Sequence, residues 1–106
     1  MKNRIGLTLI GMMAVSSFGS VFAQGPGADT YKAKCQMCHG ASGLGDTPAG
    51  KAMGARAFNS AAVVGESDAD LMGIITSGKG KMPAYSGKLT TAQIKDLVAT
   101  IRMLQK

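Results

Sequence analysis

Residues 35–39 read Cys35-Gln36-Met37-Cys38-His39, and the rest of the chain is read outward from them. Two thiols three positions apart project from one side of a helical turn, and an imidazole follows at once. The chain has 2 Cys and 1 His in all, which excludes a multi-disulfide framework, a four-thiolate zinc or iron–sulfur site and every multi-histidine metal centre. A bare C-x-x-C could close as a disulfide or serve as a redox dithiol. A thioredoxin-like dithiol wants a βαβ setting, which is absent, and zinc wants two further ligands. With histidine directly after it, the spacing is that of c-type haem attachment. Both sulfurs fall beside the two vinyl groups on one ring edge, and the short tether lets His39 reach the iron from one face.

Upstream, the first 23 residues have the composition of an export leader. Lys2 and Arg4 form a positive start, Ile5 to Val15 is apolar, and Val21-Phe22-Ala23 is a small-x-small cleavage site before Gln24. The apolar run falls short of the ~20 residues a spanning helix needs. The expectation is a cleaved signal over 1–23 and a single domain over 24–106, exported to a bacterial periplasm, with no stable membrane insertion. Removing Lys2 and Arg4 takes the net charge from +6 to +4. Tyr31, Phe58 and Tyr85 are then the only aromatics. A domain this small with so little aromatic mass has an underfilled core, which a disulfide or a large cofactor could complete.

Downstream, the pattern is helical throughout. Asp29–Cys38 reads as a short helix with Asp29 as a possible N-cap; Ala28, Tyr31, Cys35 and Cys38 share one face. Gly40–Asn59, rich in Gly and Ala, reads as a loop long enough to wrap something. Ser67 caps a helix that shows Leu71, Ile74 and Ile75 on one face and ends at Gly78. Thr90-x-x-Gln93 is a capping box, and Ile94, Leu97, Val98, Ile101 and Leu104 follow at helical spacing. No alternating strand pattern competes. The fold class expected is all-α, with three main helices and long loops.

The sixth position on the iron is open, or filled by a residue other than His. Met37 lies between the cysteines and cannot cross the ring. Met72 and Met103 fall in predicted helices as packing residues. Met53, in the wrapping loop, is a weaker candidate. Met82 stands between Gly78-Lys-Gly-Lys81 and Pro83-Ala-Tyr85, a segment able to approach from the opposite side and stiffened by Pro83.

Three stretches together resemble the small class I cytochromes c, nearest in look to short bacterial and c6-like members. They are Tyr31-Lys-Ala-Lys-Cys-Gln-Met-Cys-His-Gly40, Gly78-Lys-Gly-Lys-Met-Pro-Ala-Tyr85 and Leu89-Thr-Thr-Ala-Gln-Ile-Lys-Asp-Leu-Val98. The resemblance implies one haem c per chain, with Cys35 and Cys38 as thioethers, His39 as proximal ligand and Met82 as distal ligand. It implies a first helix packed across the last, with Gly27 and Tyr31 at the small and aromatic contact positions. Thr100 stands where similar proteins usually carry an aromatic, which implies a looser crossing unless Ile101 substitutes. Pro48 is the candidate carbonyl partner for His39.

With His and Met both bound, the iron can only gain and lose one electron, and a thioether ligand raises its potential. The expected function is a soluble one-electron carrier, not an enzyme. Lys32, Lys34, Lys79, Lys81 and Lys88 could ring the haem edge and steer redox partners with acidic docking patches. Nucleic acid is excluded as a partner by modest charge and few aromatics. Nothing points to a large self-interface, so a monomer is expected. Two other classes compete: a haem enzyme or gas sensor with an open distal site, and a haem-free secreted domain with a Cys35–Cys38 disulfide.

Overall fold

The computed structural model describes residues 25–106. The expected leader and its cleavage site lie outside them. The described chain forms six helices: α1 (Gly27–Lys34), α2 (Gln36–His39), α3 (Pro48–Met53), α4 (Ala61–Val64), α5 (Asp68–Ser77) and α6 (Thr91–Leu104). Among the described residues there is no strand, only isolated bridges pairing Lys79 with Met82 and Ser86 with Leu89. None of these helices is long and apolar enough to cross a membrane. The all-α class and the three main helices (α1, α5 and α6) stand as expected.

Local chemistry sets the helix ends. Thr90 and Gln93 form a reciprocal capping box at the start of α6, and Ser67 and Asp70 form another at α5. Gly78 ends α5 with φ +75°, a conformation that suits glycine. Two expectations need correction. The first helix starts at Gly27 with Pro26 at the N-cap, so Asp29 sits in its first turn, where a carboxylate favours the dipole. It also breaks at Cys35 (φ −118°) before α2 resumes, so the pair of helical pieces replaces one continuous Asp29–Cys38 helix. The presumed loop Gly40–Asn59 contains α3, capped by the Thr47 hydroxyl, which accepts from the Gly50 N–H at 2.9 Å, with Pro48 at the first helical position.

The frame is the crossing of α1 over α6. A Cβ on Gly27 would stand 2.7 Å from the Asp96 carbonyl carbon and would also strike the Thr100 hydroxyl, so the helices meet at van der Waals contact there. The expectation of a looser crossing at Thr100 is therefore overturned. Thr100 is buried, its Oγ1 donates to the Asp96 carbonyl at 3.1 Å, and no aromatic could fit beside Gly27 at this spacing. Ile101 does not substitute there; it faces the interior cavity described below. Ile94, Leu97 and Val98 carry α6 into a core completed by Tyr31, Phe58, Val63, Leu71 and Ile75. Tyr31 and Phe58 meet edge to face with centroids 6.2 Å apart.

Candidate haem site

The small core does not close on itself. It surrounds a cavity of about 490 Å³, whose walls come from α1, α2, the stretch after α3, α4, α5, the 79–85 segment and α6. Val63, Leu71, Ile75, Leu97 and Ile101 make its floor apolar. The sequence-based expectation of an underfilled core is met by this space.

One wall is the turn at Cys35–His39. The Cys38 and His39 amides both donate to the Cys35 carbonyl, at 3.2 and 2.9 Å, which winds the two thiols onto the cavity side. Both cysteines are free. Burial, with the neighbouring Cys38 as a smaller cause, pushes the Cys35 thiol up to about 11, so it is protonated at neutral pH. The disulfide alternative is not formed.

The carbonyl end of α2 is tied down from outside. The Thr47 hydroxyl reaches the carbonyls of Met37 (2.7 Å) and Cys38 (3.1 Å) while its oxygen caps α3, so one side chain joins the two helices. The Tyr31 hydroxyl donates to the Gly40 carbonyl at 2.6 Å, and the Gly45 amide to the His39 carbonyl at 2.8 Å. The imidazole itself stacks on Phe58, with centroids 4.7 Å apart and planes 27° apart. Among the described residues its buried Nδ1 finds no hydrogen-bond partner, so the Pro48 carbonyl does not orient it; Pro48 instead opens α3. Burial, and secondarily the Arg56 guanidinium, lowers the His39 pKa and leaves the ring neutral with a free lone pair.

The 79–85 segment forms another wall. Lys79 and Met82 exchange main-chain hydrogen bonds at 3.2 and 2.9 Å, making a tight turn. Met82 is half-buried, lines the cavity and packs against the core. Met53 lines it too but is 41% exposed, and Met37, although it also touches the cavity, is 76% exposed. Met72 packs beside the core and Met103 is exposed, neither of them lining the cavity. Burial raises the Tyr85 phenol pKa, so it keeps its proton through neutral pH.

Charge on the lining has one sign. Among the described residues, Lys34, Arg56, Lys79 and Lys81 are its only charged residues, with no carboxylate among them. Lys32 and Lys88 are exposed and lie outside the lining. Among the described residues no group of three or more His, Cys, Asp or Glu could hold a metal ion by itself. A neutral imidazole, two free thiols, a thioether, an apolar floor and a cationic rim fit the chemistry of a haem, a group whose iron accepts nitrogen or sulfur donors and whose propionates are anionic.

The sequence singled out Cys35, Cys38, His39 and Met82 as candidates, and the fold brings all four to one cavity. It missed Thr47 and Phe58. The pair Thr47-Pro48 carried a helix-start signal that points to Thr47; nothing local marks Phe58 as the partner of His39.

Comparison with known proteins agrees with this geometry. The family model described as "Cytochrome C oxidase, cbb3-type, subunit III" matches residues 23–100. A solved structure of the KustC0563 c-type cytochrome superposes with a TM-score of 0.69 at 33% identity, covering 76% of this chain and 98% of that one. The curated proteins contain no match. Cavity, fold and family match agree: the chain belongs to the matched c-type cytochrome family, as a small all-α monohaem cytochrome c that carries covalently bound haem c and its iron.

Proposed function

We propose that this haem-based electron carrier moves one electron at a time, with Cys35 and Cys38 as the thioether anchors and His39 and Met82 as the two axial ligands. The observation that carries the reading is that one turn of helix and a segment some forty residues later contribute these four side chains to the same cavity. When bound, the haem supplies an iron that takes up or releases a single electron. The chain's residues do the rest. His39 offers a neutral nitrogen held flat against Phe58. Met82 offers a thioether, which carries no proton and favours the reduced metal. With His39 and Met82 both holding the iron in both oxidation states, rearrangement would be limited and no position would be left for oxygen or peroxide. Val63, Leu71, Ile75, Leu97 and Ile101 exclude water and raise the cost of extra positive charge, which pushes the potential upward.

The reading includes export through the 1–23 leader, a periplasmic location and a soluble monomer. It includes partners with acidic docking patches, because Lys34, Lys79 and Lys81 stand on the cavity wall and make no ion pair among the described residues. The competing reading, an enzyme or gas sensor with an open distal site, makes opposite spectroscopic predictions. A Met–iron charge-transfer band in the oxidised holoprotein, a positive midpoint potential and slow carbon monoxide binding support the carrier. Met82→Ala then abolishes the band, lowers the potential and opens the iron. High-spin iron that binds carbon monoxide at once, or a Met82→Ala spectrum identical to the wild type, overturns the assignment and moves the test to Met53.

A further inference from the structure

Segment 79–86 packs Met82 and Tyr85 against the core but is held to it by few hydrogen bonds. It hangs between Gly78 (φ +75°) and Gly87 (φ +76°), two left-handed positions that favour glycine. Its main-chain anchors all fall on one side: the Tyr85 amide donates to the Ile75 carbonyl and the Ser86 amide to the Thr76 carbonyl, each at 3.0 Å, so both lie on α5. Among the described residues, 79–84 bond along the main chain only to each other, through the Lys79–Met82 pair.

Two side-chain hydrogen bonds among the described residues join this segment to α1 and α3. Lys81 Nζ reaches the Ala52 carbonyl at 3.5 Å, the outer limit for such a bond. The Tyr85 hydroxyl donates to the Lys34 carbonyl at 3.0 Å, across 51 residues of sequence. Lys34 is the last residue of α1, immediately before Cys35, and the helix breaks there. The break frees the Lys34 carbonyl, which takes no main-chain hydrogen bond between elements. The phenol supplies the missing donor. Its ring is half-buried on the cavity wall with the Lys88 ammonium 5.9 Å from the centroid, so the hydroxyl is aimed rather than free to swing.

We propose that Tyr85 is a positioning residue whose hydroxyl latches the Met82 segment to the haem-bearing helix and sets how often Met82 leaves the iron. The proposal rests on Met82 being the distal ligand. A phenylalanine would pack equally well, so the hydroxyl is there for the bond it makes to the Lys34 carbonyl.

The test compares oxidised wild-type, Tyr85→Phe and Val98→Ala holoproteins, each titrated with imidazole while the Met–iron band is followed. Imidazole binds only where Met82 has left, so its apparent affinity reads the open fraction. Losing one net hydrogen bond raises that fraction about two- to tenfold. Tyr85→Phe is expected to bind imidazole tighter by that factor, with a matching rise in the association rate. Val98, buried in α6 and outside the cavity lining, reports global destabilisation; its truncation is expected to lower the melting temperature and leave imidazole affinity unchanged. Wild-type affinity and rate in Tyr85→Phe, with the band present, overturn the latch alone. An equal gain in Val98→Ala shows a general loosening and also overturns it. A wild type with no Met–iron band overturns the latch together with the ligand assignment beneath it.

Discussion

Replacing Gly27 by alanine puts the α1–α6 crossing under load. The new Cβ would stand 2.7 Å from the Asp96 carbonyl carbon, against about 3.5–4.0 Å for an unstrained carbon pair. The obstacle is main chain within a helix, which no rotamer change can move. The helices must therefore part by about 1 Å, and a gap of that size forfeits a quarter to a half of the dispersion well along the seam. Overpacking of this kind costs about 1–3 kcal/mol. Alanine returns up to about 1 kcal/mol of helix propensity, less at a first helical position. The net expectation is a loss of about 1–2 kcal/mol, or roughly 5–15 °C in melting temperature for a domain this size. Thermal melts of the holoprotein followed by far-UV circular dichroism measure it, with denaturant midpoints at unchanged slope as a cross-check. Adding Thr100→Ala should restore only part of the loss, because it clears the side-chain obstacle and leaves the Asp96 carbonyl in place. A Gly27→Ala protein that melts at or above the wild-type temperature refutes the account of the crossing.

Two more outcomes follow from the same geometry. Burial, helped in the unattached chain by the Cys35 thiolate, raises the Tyr31 phenol to about 12, whereas an unfolded phenol ionises near 10. The unfolded state thus loses its proton first. Stability is full below about pH 10 and falls, by about 2–3 kcal/mol in all, as pH rises through 12. Denaturant midpoints across that window should drop steeply in the wild type and far less in Tyr31→Phe; parallel curves would assign the drop elsewhere. Gly78→Ala forces a side chain into φ +75° and sets a Cβ 2.6 Å from the Met82 carbonyl oxygen. It should cost about 1–2 kcal/mol and weaken the Met–iron band; a full-intensity band with an unchanged melting temperature would contradict it.

The parts of the fold that announced themselves in the sequence are those governed by neighbours along the chain. The cap at Ser67, the box at Thr90, the stop at Gly78 and the apolar stripe of α6 are all local effects, and each is in place. The thiol pair and histidine were legible for the same reason: one turn of helix contains the whole motif. Met82 was singled out by exclusion among the methionines and by the proline after it, and it does line the cavity. Helix α3 was not legible, because Pro48–Met53 (Pro-Ala-Gly-Lys-Ala-Met) is too short and too poor in apolar side chains to show a period; its order comes from the Thr47 hydroxyl, a contact made with α2. The break at Cys35 was invisible because periodicity continues straight through it. Phe58 against His39 and Thr100 against Gly27 are encounters between distant segments, and no pattern within either segment specifies them.

The cavity also changes what kind of stabilisation the domain can draw on. A ligand that binds reversibly contributes in proportion to the logarithm of its concentration, and dilution takes the contribution away. The haem here is covalently attached, so its local concentration is fixed by the length of the tether and survives any dilution. A gap that would weaken an ordinary core is thereby converted into a permanently occupied one. Maturation of the chain is in this sense a packing event, completed once and not reversed when the surroundings change.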